Sequence, residues 1–313
     1  MNIVFMGTPE FAVPCLQALI EHGENIQAVF TQPDKPKGRG YKLAPPPVKE
    51  LAQKHNIPVY QPQSLKQGED ADKAYDILHN LNPDLIIVVA FGKILPKRIL
   101  DVPKKYCINV HASLLPKYRG AAPIQWSVLN GEKETGVTTM LMEEGLDTGD
   151  MLLYEKTVIG DNETASELHD RLAVMGAELL IKTIEAVKLD NITPQKQDDS
   201  QHTYAPMLTK DMCPIDFSKP AQEVHNKIRG LSKFPCATAL YNEKKLKIYK
   251  SVLSEHIYHK SLPGTVVNEN DFTVMCGDGN AVTFMEVQTE GGKRMSTADF
   301  LRGNRIKNGD VLN

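Results

Sequence analysis

Residues 85–90, Leu-Ile-Ile-Val-Val-Ala, form an unbroken apolar run, too short for an ordinary helix and too uniform for a strand with one wet face. A strand buried on both sides reads this way, and helices covering both faces of a parallel sheet bury it so. The surrounding chain carries the matching alternation. Residues 2–6 are apolar and stop at Gly7, and residues 26–31 and 59–60 are further strand candidates. Residues 8–22, 48–55 and 71–81 show helical periodicity between them. Thr8 and Pro9 suit the N-cap and first helical position of the first of these helices. Residues 108–110 add another short strand. The alternation predicts an α/β fold with a doubly wound, mostly parallel, Rossmann-like sheet. Ligands in such sheets bind beyond the carboxyl ends of the strands. Gly7, Phe91-Gly92 and residues 109–111 all follow strand candidates, so they should converge on one edge.

A chain of 313 residues favours two domains. A long amphipathic helix at 165–187 closes the first, and the polar stretch 190–208 reads as a linker. A helix at 221–231 and short β-rich runs at 237–241, 245–252, 264–267, 272–276 and 281–287 then predict a smaller, OB-like β-barrel. The expected division is a catalytic domain over 1–189, a linker over 190–208 and a β-barrel over 209–313. Net charge is −3, but residues 209–313 hold 15 Lys/Arg against 12 Asp/Glu, which leaves −6 for the rest. A mildly basic accessory domain fits that split. The five cysteines are scattered and form no CxxC, as expected in a reducing compartment. The start does not read as a signal peptide, and no apolar run approaches the ~20 residues of a membrane span. The expectation is a cytoplasmic protein with no membrane partner.

Three segments can carry chemistry. At Met6-Gly7-Thr8-Pro9-Glu10 a glycine separates strand from helix, but the second and third glycines of the dinucleotide fingerprint are missing, which argues against a nicotinamide cofactor. At 107–120, Asn109 and His111 lie two residues apart and share a face if the strand runs through both. An amide beside an imidazole suits a carbonyl oxygen that becomes negative, and a histidine can pass a proton near neutral pH. Ser113 stands among apolar residues without a glycine elbow, so Ser113-Leu114-Leu115-Pro116 reads as a wall for a planar apolar ligand rather than a nucleophile. At 143–150 two glycines and four acids make a loop, from which Asp147 could orient an imidazole. The spacing fits no calcium loop and no histidine ligand accompanies it, so no metal is expected.

Together the segments INVHASLLPKYRGAAPIQW and GLDTGDML resemble the folate-dependent formyltransferases, in which an Asn, a His and an Asp surround the transferred formyl group. The matching positions are Asn109, His111 and Asp147. The resemblance extends through MGTPEFAVPCL, through TQPDKPKGRGYKLAPPPVK at 31–49 and into the C-terminal β-rich region. Those stretches look like the branch of the family whose acceptor is methionyl initiator tRNA. The resemblance implies 10-formyltetrahydrofolate as formyl donor and a role in translation initiation. It also implies a folate pocket lined by Phe91, Ile94, Leu95, Ser113, Leu114, Leu115, Pro116 and Leu146.

An α-amine has a pKa of about 7.7–8.0, so such a nucleophile needs positioning more than a strong base. The acceptor is the open point, because related formyltransferases act on nucleotide-linked amino sugars. The basic loop at 34–49 decides for tRNA. It holds Lys35, Lys37, Arg39, Lys42 and Lys49 against Asp34 alone, on the expected ligand edge, where phosphates would be met. Lys35, Lys37, Arg39 and Lys42 are the expected tRNA contacts. Lys244, Lys245, Lys247 and Lys250 form a second basic set, equally readable as a solvated strand face.

Overall fold

Seven strands build the main sheet: β1 (Asn2–Gly7), β2 (Asn25–Phe30), β3 (Val59–Tyr60), β4 (Leu85–Val89), β5 (Tyr106–His111), β6 (Glu134–Leu141) and β7 (Met151–Val158). The computed structural model describes residues 1–37, 42–259 and 261–313. The sheet order is β7-β6-β5-β4-β1-β2-β3. Strands β3, β2, β1, β4 and β5 pair in parallel, and β6 runs antiparallel to β5. Helices α1 (Val13–Glu21), α2 (Pro47–Lys54), α3 (Glu69–Leu81) and α4 (Lys97–Leu100) make the crossovers. Residues 85–89 of the apolar run are β4, buried at every position, while Ala90 lies past the strand and is exposed. One sheet face packs Val4, Met6, Ile86 and Val88 with Ala74, Leu78 and Ile99.

Chain order reverses beside β1, which has β2 on one side and β4 on the other. At the end of β1, a Cβ on Gly7 would lie 2.8 Å from the Ala12 Cβ and 3.0 Å from the Val89 carbonyl oxygen. Glycine is needed for that close approach. Thr8 does not cap a helix. Its Oγ1 donates to the Phe91 carbonyl (3.2 Å) and accepts from the Gln32 N–H (3.4 Å), joining the carboxyl ends of β1, β2 and β4. Residues 10–12 form a 3-10 turn before α1.

Two compact units emerge, and neither is continuous in sequence. The first takes Met1–Gly120, Gly136–Thr157 and His169–Tyr204, and the second takes Ala121–Thr135, Val158–Leu168 and Ala205–Asn313. The polar stretch expected to be a linker has its own anchors in the first unit. Gln195 exchanges backbone hydrogen bonds with Met151 (2.8 Å each), and Gln197 is buried.

The second unit includes helix α5 (Pro123–Leu129) and the first turn of the long α6 (Ala165–Lys188). It also holds α7 (Ala221–Gly230) and α8 (Thr297–Gly303). Its strands are β8 (Ala237–Tyr241), β9 (Lys244–Leu253), β10 (Val266–Asn268), β11 (Thr273–Met275), β12 (Ala281–Thr289) and β13 (Met295–Ser296). The order β8-β9-β12-β11-β10 is antiparallel throughout, with β13 paired to β12. The C-terminal segment closes this sheet. Asn313 exchanges hydrogen bonds with Leu240 of β8, while Leu312 bonds Gly264 just before β10 and Asp310 bonds Val266 at its start. Inside, Phe272 stacks on Phe300 and meets Phe284 edge-on.

The two inserted pieces belong here for visible reasons. Buried Arg229 of α7 donates to the Gly160 and Glu163 carbonyls (3.2 Å each), and buried His225 contacts the Asp161 carbonyl and Ser251 Oγ (2.9 Å each). Burial pushes the His225 pKa below the usual histidine range, more than the Asp161 contact lifts it. An unfolded chain therefore takes up this proton first. The second unit should be unaffected above pH ~6.5 and lose stability below it, by at most ~1.4 kcal/mol per pH unit. Denaturant midpoints measured from about pH 7.5 to about pH 5 test this, and His225→Gln should flatten the acid slope. An equal slope in both proteins would contradict the assignment.

Candidate active site

Strand β5 positions the first two residues of the trio. Asn109 pairs with Val88 of β4 and Met140 of β6, and His111 pairs with Thr138 of β6. The ladder with β4 stops at Asn109, so His111 lies past the parallel strand's end, at the edge where ligands enter such sheets. The residues are two apart in a strand and share a face. His111 is buried and Asn109 is half-buried.

His111 Nε2 sits 2.9 Å from the Tyr118 carbonyl oxygen. A carbonyl only accepts, so Nε2 carries a hydrogen in either charge state. Nδ1 is then the atom that can take or give a proton. It faces Asp147 Oδ2 at 3.6 Å, and the Gly120 N–H donates to that same oxygen at 2.8 Å. The structure thus brings Asp147 to His111 across the sheet edge. Asp147 has a left-handed backbone, φ +53°. Beside it a Cβ on Gly149 would meet the Leu141 carbonyl at 1.9 Å, so only glycine lets the loop lie this close to β6.

The expected folate-pocket residues divide by exposure. Ile94 is 80% exposed and Leu146 60%, while Leu114 and Pro116 are half-buried. Phe91 and Leu95 lie in the core under β1, β2 and β4, and Leu115 is buried. Ser113 is fully buried, with its hydroxyl donating to the Lys117 carbonyl (2.6 Å) and its carbonyl accepting from Thr138 (2.7 Å). Among the expected tRNA contacts, Lys35 is exposed and bonds Gln32 (2.8 Å). Arg39 lies outside the described residues, as do the side chains of Lys37 and Lys42, whose backbones form a two-stranded ribbon. Lys49 pairs with Asp34 (2.8 Å) and Lys250 with Glu167 (2.9 Å).

Several residues that hold the trio give no individual signal in the sequence. Tyr118 and Gly120 act through backbone atoms, and Arg119 and Gln197 through buried side chains. Arg119 and Gly120 fall inside the KYRG stretch. Gln197, fifty residues beyond Asp147 in a polar run, has no sequence cue. Among the described residues, His22, Glu24 and Glu185 form one group with metal-ligand spacing. It lies at the amino ends of the strands, and Lys188 already bonds Glu24 (2.5 Å) and Glu185 (3.0 Å).

The chain matches the formyl transferase model over residues 1–184 and the formyl transferase C-terminal domain over 207–305. It is 54% identical to "Methionyl-tRNA formyltransferase" of Clostridium novyi (strain NT), with 100% of both chains covered. It is 51% identical to the same-named protein of Trichlorobacter lovleyi, covering 99% of this chain and 96% of that one. A solved N-formyltransferase from Helicobacter canadensis, in complex with folinic acid and dTDP-3-aminofucose, shares the fold at TM-score 0.69 and 23% identity, over 92% of this chain and 99% of that one. No helix among the described residues is long and apolar enough to cross a membrane. Domain matches along most of its length, and full-length relatives at about half identity, place the chain in the formyl transferase family.

Proposed function

We propose that the chain transfers the formyl group of 10-formyltetrahydrofolate to the α-amine of methionyl initiator tRNA in the cytoplasm. One observation supports the chemistry above others: a half-buried Asn109 on the same strand face as a histidine whose Nδ1 looks at a carboxylate. The names of the full-length relatives support the acceptor. The sugar-acting neighbours share the fold at much lower identity and lend little weight to a sugar acceptor.

The site suits an N-formyl donor on a planar heterocycle. Ile94 and Leu146 expose apolar surface on the loops after β4 and β6, and Leu114 and Pro116 add a half-buried wall. Bound there, the donor supplies an activated formyl carbon. The Asn109 amide donates to the formyl oxygen as it gains negative charge. Loss of one such donor typically costs about 2.7–4 kcal/mol in the transition state. His111 Nδ1, steadied by Asp147, takes part in moving the amine proton toward the folate nitrogen that leaves. The balance is one C–N bond formed, one broken and one proton passed from amine to leaving nitrogen. Neutral amine is already present at working pH, so placement matters more than base strength. No metal enters this scheme.

The basic loop supplies phosphate contacts through Lys35, Lys37, Arg39 and Lys42, and exposed Lys244 and Lys245 add a second set. Lys49 and Lys250 are engaged in ion pairs and contribute less.

Protein incubated with radiolabelled 10-formyltetrahydrofolate should label methionyl initiator tRNA but not nucleotide-linked amino sugars. Label only on the sugar would overturn the acceptor. His111→Ala should lower kcat about 10²–10⁴-fold with donor binding retained; unchanged turnover would remove His111 from the mechanism. Replacing Arg39 and Lys42 by alanine should raise KM for tRNA and shallow its dependence on salt, by roughly one unit of log–log slope for each phosphate no longer neutralised. A KM for tRNA that already ignores ionic strength in the parent protein would count against the loop.

A further inference from the structure

Asp147 sits on a loop where its backbone is left-handed and glycines stand two residues away on either side. Thr148 bonds Glu143 (2.5 Å) within it, but among the described residues no bond inside the loop holds the Asp147 and Gly149 carbonyls. A side chain from a distant stretch supplies the hold. Gln197 Nε2 donates to the Asp147 carbonyl at 2.8 Å and to the Gly149 carbonyl at 2.7 Å. Its Oε1 accepts from Arg119 Nε at 3.0 Å and Nη2 at 2.8 Å, and Nη2 also reaches Asp199 Oδ1 at 2.7 Å. Gln197 is 4% exposed and Arg119 3%, so the amide is enclosed with its two donors and its oxygen all engaged. The Arg119 N–H bonds the Thr203 carbonyl at 2.9 Å, which ties this strip to the same distant stretch.

We propose that Gln197, gripped by Arg119, is a positioning residue for formyl transfer: it fixes the loop that sets the Asp147 carboxylate against His111. The inference rests on Asp147 taking part in the transfer as proposed above. Three consecutive residues do the joining. Tyr118 receives His111 Nε2, Arg119 orients Gln197, and Gly120 donates to the Asp147 carboxylate. A glutamine amide suits the task because it accepts from the guanidinium at one end and donates to two carbonyls at the other. A glutamate there would accept from Arg119 but present oxygen to both carbonyls. Displacing a catalytic group by about 1 Å can cost on the order of 10²-fold in rate.

The test is a double-mutant cycle read in kcat and KM. Gln197→Glu keeps the length and the Arg119 contact but leaves two buried carbonyls without a donor, so it should still fold with a lowered Tm. It should lower kcat roughly 10–100-fold with KM for both substrates within about threefold. In an Asp147→Asn background the same change should cost less than about twofold, because the residue it positions is already disabled. Gln197→Met, which keeps volume without hydrogen bonds, should show the same background dependence, and neither variant should recover parental kcat. Equal losses in both backgrounds, or a lower Tm with unaltered kcat, would overturn the positioning role while leaving Asp147 in the mechanism. A parental kcat in Asp147→Asn itself would overturn both.

Discussion

Strand β5 is the constraint on which the site depends. It has β4 parallel on one side and β6 antiparallel on the other, so neither its register nor the face each side chain takes is free. A slip of one residue would turn Asn109 and His111 to the opposite face and bring Ile108 and Val110 to theirs. Burial of Ile108 and Val110 resists that slip. The placing of Asn109 and His111 thus follows from buried apolar neighbours on the same strand.

Residues 118–120 add the second condition. An imidazole, a guanidinium-held amide and a carboxylate are all referred to one short strip, through two backbone groups and one buried side chain. Backbone donors and acceptors add no side-chain rotamer to be frozen, so they hold a partner at small entropic cost. His111 Nδ1 and Asp147 Oδ2 lie 3.6 Å apart, each referred separately to this strip.

The α/β architecture is legible in the sequence because its evidence is periodic. The apolar run of β4, the glycine that ends β1 and the five short runs of the second unit each overlap a strand of the fold. Strands β6 and β7 escape the pattern, since residues 134–141 and 151–158 border a Gly- and Asp-rich loop whose acids and glycines carry the stronger local signal. Local spacing favours a capping role for Thr8, whereas groups at the ends of β2 and β4 take its hydroxyl in the fold. The trio is legible through its motifs. Gln197 is not, because a polar residue in a polar stretch looks solvated until a buried arginine is seen facing it.

The discontinuity of the two units has the same origin. Periodicity along the chain reports which face of an element is apolar, not what will cover it. Helix α7 reads as amphipathic, yet His225, Asn226 and Arg229 on it are buried. Polar groups can be buried there because residues 160–163 present carbonyls to His225 and Arg229, and Gln222 and Arg229 both donate to Asn226. Residues 158–168 therefore belong with a helix some sixty positions later, for reasons of hydrogen-bond satisfaction rather than hydrophobicity. Such pairings are invisible to composition and to any local pattern. They leave a chain with two cores whose boundary is set by which buried donor needs which carbonyl.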